Sequence, residues 1–336
     1  MSTVGSTTFP TLEEVLPEIR AIIEGSEHIV CLAHKDADAD SLGSALAFAA
    51  ALRLMGKTPH PVVPEPRPYL LEYLPGFDTL EAAPERIDAV FTFDCATTGR
   101  FGDKQVLVQG QGLPVVNVDH HMSNTLYGTV NLIQPEASAS GQVVFRLLNA
   151  LGLPIPPDAA TNLYAALLTD TGGFRHENTT PKALEDAARL ARLGADPGRI
   201  ATQVYKMRPE TTLKLSGLAL ATMRIELQGR LAWAKVTRRM LREAGAVMAE
   251  SEGIIDTLNS IAGLELAILF KEVSSDLTKI SVRSRGAVDA AALCATFGGG
   301  GHIRAAGAEI QKPMEEAVRL VLTAAKEAIG AASSNP

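Results

Sequence analysis

The chain has 336 residues, 46% of them hydrophobic and 5% aromatic, and a formal net charge of −7. That length allows two domains of ordinary size. The acidic balance, with a pI of about 5.6, excludes a general binder of long duplex nucleic acid, whose affinity rests on neutralising many phosphates. The three scattered cysteines, Cys31, Cys95 and Cys294, form no Cys-x-x-Cys pair and read as reduced core residues of a cytoplasmic protein. No apolar run of roughly 18 residues is free of charge, so neither a transmembrane helix nor a membrane partner is expected. The first ten residues lack the basic start and apolar stretch of a secretory signal and read as a frayed terminus.

In chain order, residues 28–33 read as a buried strand. Residues 42–55 read as a helix that is apolar on nearly every face and stopped by Gly56. Residues 89–93 and 115–118 are β-rich runs that each end in a polar cluster. Residues 141–151 and 158–168 have helical spacing. Thr180 followed by Pro181 is an N-cap with proline at the first helical position, opening a helix to residue 193. Strands alternating with helices predict an α/β unit, a mostly parallel sheet covered on both faces. Glycine and proline interrupt the pattern between Gly194 and Thr211, which predicts a first domain over residues 1–195, a linker over 196–214 and a second domain over 215–336. The second domain reads as smaller and α+β. It has a hairpin around Gln228-Gly229-Arg230, a helix near 254–261, strands at 266–273 and 278–283, and an amphipathic helix over 315–329.

Four polar clusters punctuate the first half. The run from His34 to Ser41 carries Asp36, Asp38 and Asp40. Asp38 and Asp40 are two apart, and carboxylates this close repel one another unless a cation neutralises them; the plainer reading is an acidic loop capping the next helix. Asp94 ends a strand, where an aspartate is commonly a turn residue. Asp119-His120-His121 ends another strand, and histidine with carboxylate suits Mn²⁺, Zn²⁺, Fe²⁺ or Co²⁺. Asp170 ends an apolar helix just before Gly172 and Gly173. In open parallel sheets ligand sites lie beyond the carboxyl ends of the strands, so these clusters can converge. Together His34, Asp38, Asp40, Asp94, His120 and Asp170 supply enough ligands for two divalent ions sharing one carboxylate, an arrangement that can clamp a phosphoryl group and activate water.

The ordered set His-x₃-Asp-x-Asp, a later strand-end Asp, Asp-His-His, and Asp before a glycine turn resembles the DHH phosphoesterase superfamily. The segment Phe297-Gly298-Gly299-Gly300-Gly301-His302, continued by Ala305-Ala306-Gly307, resembles the glycine-rich signature of the DHHA1 domain, and Ser281-Val282-Arg283-Ser284 resembles its substrate-binding strand. The layout is most similar to the short-chain, NrnA-like branch, which combines oligoribonuclease with phosphatase activity on 3′-phosphoadenosine 5′-phosphate. The resemblance implies a cleft between the two domains. It implies one metal on His34, Asp38 and Asp94, and a second on Asp40, Asp94, His120 and Asp170, with Mn²⁺ the usual ion and Mg²⁺ or Co²⁺ as alternatives. It places Asp94 as the bridge, His121 towards substrate and Asp119 behind a ligating histidine. Ala37 and Ala39 depart from the family's usual proline and glycine without removing a ligand.

Four consecutive glycines permit close approach of backbone N–H groups to an anion, though a flexible loop is the plainer reading. With His302 and Arg304 beside it, the segment predicts phosphate binding by Gly299, Gly300, Gly301 and His302. Arg283 and Ser284 would join them on the strand, where Arg283 and Arg285 share one face. Arg175 and Asn124 are further substrate candidates, each with a structural alternative as a surface arginine or a turn cap. The expected partners are short single-stranded RNA or small phosphorylated nucleotides, and a homodimer is left open. Competing readings are a cyclic or linear dinucleotide phosphodiesterase, a RecJ-like single-strand DNA exonuclease, a pyrophosphatase and a non-catalytic nucleotide-binding regulator.

Overall fold

The computed structural model describes residues 9–110 and 112–333. Of the first ten residues, read as a frayed terminus, the first eight lie outside the described residues. The chain forms two compact units, Met1–Met207 and Arg208–Pro336.

The first unit runs α1 (Leu12–Gly25), β1 (His28–Leu32), α2 (Ala39–Leu54), β2 (Thr58–Val62), β3 (Ala89–Phe93), β4 (Val115–Asp119), β5 (Val130–Ile133), α3 (Ser140–Leu151), α4 (Pro157–Asp170), α5 (Pro181–Arg192) and α6 (Pro197–Tyr205). Its sheet has the order β2-β1-β3-β4-β5, and every pairing is parallel. Both faces of such a sheet are covered, which is why β1, β3 and β4 read as mostly apolar runs rather than alternating ones. Phe91 and Phe93, two apart on one face of β3, pack against Phe48 of α2 with ring centroids 4.7 and 5.5 Å away. Val90 lies in a second apolar cluster with Phe101. α2 is buried around nearly its whole circumference, because it lies between the sheet and α4. A Cβ on Gly43 would stand 2.8 Å from the carbonyl oxygen of Asn162, so glycine is what lets these two helices approach.

β2 escaped the sequence reading because Pro59 and Pro61 interrupt it. Proline lacks the N–H that a central strand needs. Here the strand is at the sheet edge, where only one side must pair. The stretch read as a linker is mostly helical. Asp196 caps α6, its side chain accepting from the N–H of Arg199, and Pro197 takes the first helical turn. Proline and glycine there start and stop helices instead of interrupting structure.

The second unit runs α7 (Glu210–Leu220), β6 (Arg224–Glu226), β7 (Leu231–Val236), α8 (Arg238–Ala244), α9 (Ile254–Asn259), β8 (Leu266–Glu272), β9 (Thr278–Ser284), α10 (Ala290–Ala295), β10 (Gly300–His302), β11 (Ala305–Ile310) and α11 (Met314–Ser333). Its mixed sheet has the order β10-β11-β9-β8-β7-β6, with only β7 and β8 parallel. β8 divides its side chains by the period of two. Leu266, Ile268 and Phe270 enter the core that holds α10 and α11 residues, while Ala267 and Leu269 enter the core with α7, α8 and α9. Among the described residues no helix is long and apolar enough to cross a membrane, and Cys31, Cys95 and Cys294 are buried free thiols.

Candidate metal centre

Because all five strands of the first unit run the same way, the residues after β1, β3 and β4 emerge at one edge of the sheet. Ser41 ties two of these ends together. Its hydroxyl donates to the carbonyl of Phe93 at 3.1 Å and accepts from the His34 N–H at 3.1 Å. Asp38 is the N-cap of α2, its Oδ1 accepting from Ser41 N–H at 2.9 Å. Capping and metal binding therefore do not compete, since the carboxylate keeps a second oxygen. Asp40, fully buried, is gripped by the start of α3. Its two oxygens accept from the N–H groups of Gly141 and Ser140, each at 2.8 Å. A helix N-terminus presents donors and a positive dipole end, which suits a buried carboxylate. Gly141 is required there, because a Cβ would fall 2.5 Å from the Ala166 side chain.

Asp94 sits at the centre with φ at 57°, a left-handed conformation uncommon outside glycine. Ser140 Oγ donates to its Oδ1 at 3.0 Å. His34 Nε2 lies 3.4 Å from its Oδ2 and His120 Nε2 3.5 Å from its Oδ1. His120 Nε2 is also 3.9 Å from Asp40 and 3.8 Å from Asp170. Asn178 steadies Asp170, its Nδ2 donating to the Asp170 carbonyl at 3.2 Å and to Oδ2 at 3.4 Å.

The histidine tautomers follow from their partners. His34 Nδ1 is 2.8 Å from the carbonyl of Lys35, and His120 Nδ1 is 3.2 Å from that of Ala137. A carbonyl oxygen only accepts, so each Nδ1 carries a proton, and in the neutral ring each Nε2 turns a lone pair towards the carboxylates. Lone pairs converging on carboxylates call for a cation. Two trios, His34–Asp38–Asp94 and Asp40–Asp94–His120, each bring their ligand atoms within 4.8 Å of one another and share Asp94. The donor set fits divalent ions on chemistry as well, mixing imidazole and carboxylate.

The electrostatics agree. Burial, then repulsion from Asp94 and Asp170, pushes the Asp40 carboxyl well above its usual range. Asp170, whose side chain keeps 29% of its surface exposed, is pushed up to about 7, first by desolvation and then by its acidic neighbours, against the pull of His120. Burial also works against the Asp94 carboxylate, but the charge of His121, with His34 and His120 beside it, outweighs it and holds it below the usual range. Burial disfavours charge on His121, yet the hydrogen bond to Asp119 and the Asp94 charge raise it to about 9.

Asp119 is fully buried and spends its oxygens locally. Oδ1 accepts from the His120 N–H at 2.7 Å and from His121 Nδ1 at 2.7 Å, while Oδ2 accepts from Asn124 at 2.6 Å. It thus orients the ring of His121 and only the backbone of His120. Asn124, a substrate candidate from sequence, is buried and hydrogen-bonded to Asn117, Cys95, Leu126 and Asp119. Its place is behind the Asp-His-His turn. Arg175 is exposed, donates to the Gly172 carbonyl at 2.5 Å and lies over the Tyr205 ring.

In the second unit the expected loop is a turn and an edge strand. Gly298 and Gly299 N–H groups close α10 on the carbonyls of Ala295 and Cys294, and β10 pairs with β11. A Cβ on Gly299 would overlap the Gly307 carbonyl and Ala308, and one on Gly301 would meet Ala305 and Ala306, whereas Gly300 faces open space. His302 is exposed on the same strand. Arg283 Nε is 3.1 Å from Asp256 Oδ1. Ser284 is buried, its hydroxyl donating to the Val288 carbonyl at 2.5 Å; alternation on β9 sends it away from Arg283. Arg304 donates to the Gly286 carbonyl.

Sequence reasoning missed Ser140, Asn178 and Arg100. Ser140 and Asn178 carry only the signal of polar residues beside helix starts. Arg100, in the turn after β3, brings Nη2 to 2.9 Å from His34 Nε2, and no local pattern announces that.

At the carboxyl edge of the parallel sheet the buried aspartate–histidine cluster thus offers two ligand trios that could hold divalent ions. The model of the DHH family, N-terminal domain, matches residues 28–167, and that of the DHHA1 domain matches residues 229–331; the chain belongs to the DHH family of phosphoesterases. It is 31% identical over 317 residues to the bifunctional oligoribonuclease and PAP phosphatase NrnA of Thermus thermophilus, covering 93% of each chain. It is 26% identical over 261 residues to the protein of the same name from Bacillus subtilis, covering 77% of this chain and 80% of that one. Among solved structures it resembles an exopolyphosphatase-related protein from Bacteroides fragilis, with a TM-score of 0.86 and 25% identity over 97% of this chain and 98% of the other.

Proposed function

We propose that the chain hydrolyses phosphoester bonds of short oligoribonucleotides and of 3′-phosphoadenosine 5′-phosphate. The observation that carries this reading is the pair of ligand trios sharing Asp94, in a chain related over nearly its whole length to a protein named for both activities. One ion would be held by His34, Asp38 and Asp94, and a second by Asp40, Asp94, His120 and Asp170, with Mn²⁺ the expected metal. When bound, two such ions supply charge neutralisation for a phosphoryl group and a water that ionises near neutral pH.

The chain's own residues set the geometry. Ser140 and the first N–H groups of α3 fix the Asp40 and Asp94 carboxylates. Asp119 holds Nδ1 of His121, so that the far side of the ring can carry a proton to the leaving oxygen. Arg283, Gly300 and His302 are the proposed contacts for the adjoining phosphate or base, and Arg175 is a further one. The three buried free thiols suit a reducing, cytoplasmic setting.

Purified protein with Mn²⁺ should be offered a five-nucleotide RNA, a long RNA, 3′-phosphoadenosine 5′-phosphate, a cyclic dinucleotide and pyrophosphate. The short RNA and the bisphosphate nucleotide should be turned over fastest. Cleavage of pyrophosphate alone would sink the reading, and preference for the cyclic dinucleotide would replace it.

A further inference from the structure

The ligands expected around the second ion are Asp40, Asp94, His120 and Asp170, and one short segment leading into α3 reaches them all, directly or through Asn178. The carbonyl of Ala137 meets His120 Nδ1 at 3.2 Å. Ser138 and Asn178 bond reciprocally, the Ser138 hydroxyl donating to the Asn178 carbonyl and Asn178 Nδ2 donating to the Ser138 carbonyl at 3.1 Å. The same Nδ2 donates to Asp170. Ser140 Oγ donates to Asp94, and the N–H groups of Ser140 and Gly141 hold Asp40. His34 and Asp38 are held elsewhere, by Ser41 and Lys35. The segment is itself anchored from behind. Gln142, only 1% exposed, accepts the Ser138 N–H on Oε1 at 2.9 Å and donates from Nε2 to Asp186 Oδ2 at 2.8 Å. Asp186 of α5 is equally buried, with Lys182 at 3.2 Å and Arg189 at 3.5 Å from its other oxygen. Two apolar side chains would pack α5 against α3 with less desolvation to offset. What the polar pair adds is direction, because hydrogen bonds, unlike apolar contacts, fix the orientation of the groups they join.

We propose that Gln142 and Asp186 are positioning residues for the second ion alone. They lock residues 137–141 in the place that aims Asp40, Asp94, His120 and Asp170 at one point, while Ser41 sets the first ion's ligands. This rests on the two-metal reading above. Neither residue belongs to a ligand trio. Asp94 belongs to both trios, yet its two oxygens divide between the supports. Ser140 holds Oδ1, which lies 3.5 Å from His120, whereas Oδ2 lies 3.4 Å from His34. The supports of the two positions therefore part at the shared carboxylate, and loosening the anchor should empty the second position before the first. A pair that only packed α5 would lower stability and leave the gap between the two metal affinities as it was.

Calorimetric titration of the metal-free protein with Mn²⁺, followed by electron paramagnetic resonance, tests this in wild type, Gln142→Leu, Gln142→Glu and the double variant Gln142→Glu/Asp186→Asn. Wild type should take up two ions and show the spectrum of a spin-coupled pair. Gln142→Leu loses both hydrogen bonds, and Gln142→Glu sets a carboxylate against Asp186. Each should bind the second ion roughly tenfold or more weaker, keep the first nearly unchanged, and show the spectrum of isolated Mn²⁺ at ion concentrations that fill both positions in wild type. The double variant exchanges donor and acceptor: one Glu oxygen takes the Ser138 N–H and the other the Asn amide. It should restore the second affinity and the coupled spectrum. Circular dichroism checks folding, and if Gln142→Leu does not fold, the pairing of Gln142→Glu with its double variant decides. Equal weakening of both ions, an unchanged second ion, or no rescue by the exchange in a folded double variant would overturn the proposal while leaving the metal centre standing. If wild type itself takes up fewer than two ions, the two-metal reading falls and this inference falls with it.

Discussion

The two units of this chain use their polar residues in opposite ways. In the first, side chains far apart in sequence are held against their own repulsion: Asp40, Asp94 and Asp170 crowd round His120, and the N–H groups of α3 and Ser140 hold two of the carboxylates in place. In the second, several residues expected to face substrate are engaged in building the unit. Ser284 closes on Val288, Arg304 binds the Gly286 carbonyl, and Gly299 and Gly301 make room for β11. Unfavourable electrostatics kept in place by surrounding structure mark a site. A motif can instead recur because the backbone packing needs it.

The sharpest way to break this contrast is to remove the shared ligand. Asp94→Asn should lower kcat by more than the roughly 10–100-fold that loss of an outer partner costs, and an Mn²⁺ titration should show a ligand position gone. Full activity would mean the crowding has no chemical purpose. Ser140→Ala leaves every ligand in place and should weaken Mn²⁺ binding by roughly 10–100-fold, measured by calorimetry; no change would make Ser140 a bystander. Packing comes next. Gly141→Ala and Gly299→Ala should each cost about 1–3 kcal/mol in chemical denaturation from overpacking, but only Gly141→Ala should also disturb Mn²⁺ affinity, since its N–H holds Asp40.

The metal-free protein gives a pH signature. Asp170 has a folded pKa of about 7 against about 3.9 unfolded. A carboxyl raised in the fold binds its proton more tightly there, so its favourable contribution is complete below the unfolded value and is lost as pH climbs to the folded one. With metal chelated, stability should therefore carry a decline between about pH 4 and 7 that Asp170→Asn removes. Persistence of the full slope in that variant would assign it elsewhere. The smallest effect is the most discriminating for the second unit. Gly300→Ala, facing open space, should change stability by no more than about 0.5 kcal/mol. A raised KM in that variant would restore an anion-binding role to the glycine run, and an unchanged KM would leave it structural.

The sequence by itself determined the alternation of strands and helices in the first unit, because mostly apolar runs and helix caps are local features that a parallel sheet requires. It also determined the identity of the charged clusters, since strand ends in such a sheet face one edge whatever the intervening loops do. β2 was hidden because its prolines deny a central strand but not an edge one, and edge position is a property of the assembled sheet. α6 was hidden because Asp196, Pro197 and Gly198 signal a helix start and a chain break equally well. Tertiary structure alone decided which residues support the cluster. The grip of α3 on Asp40 spans about a hundred residues of sequence, the contact of Arg100 with the His34 ring spans 66, and no periodicity encodes either. It also decided that Ser284 and Asn124 spend their polar atoms inside the fold, because a hydrogen bond is claimed by whichever partner the packing brings within reach.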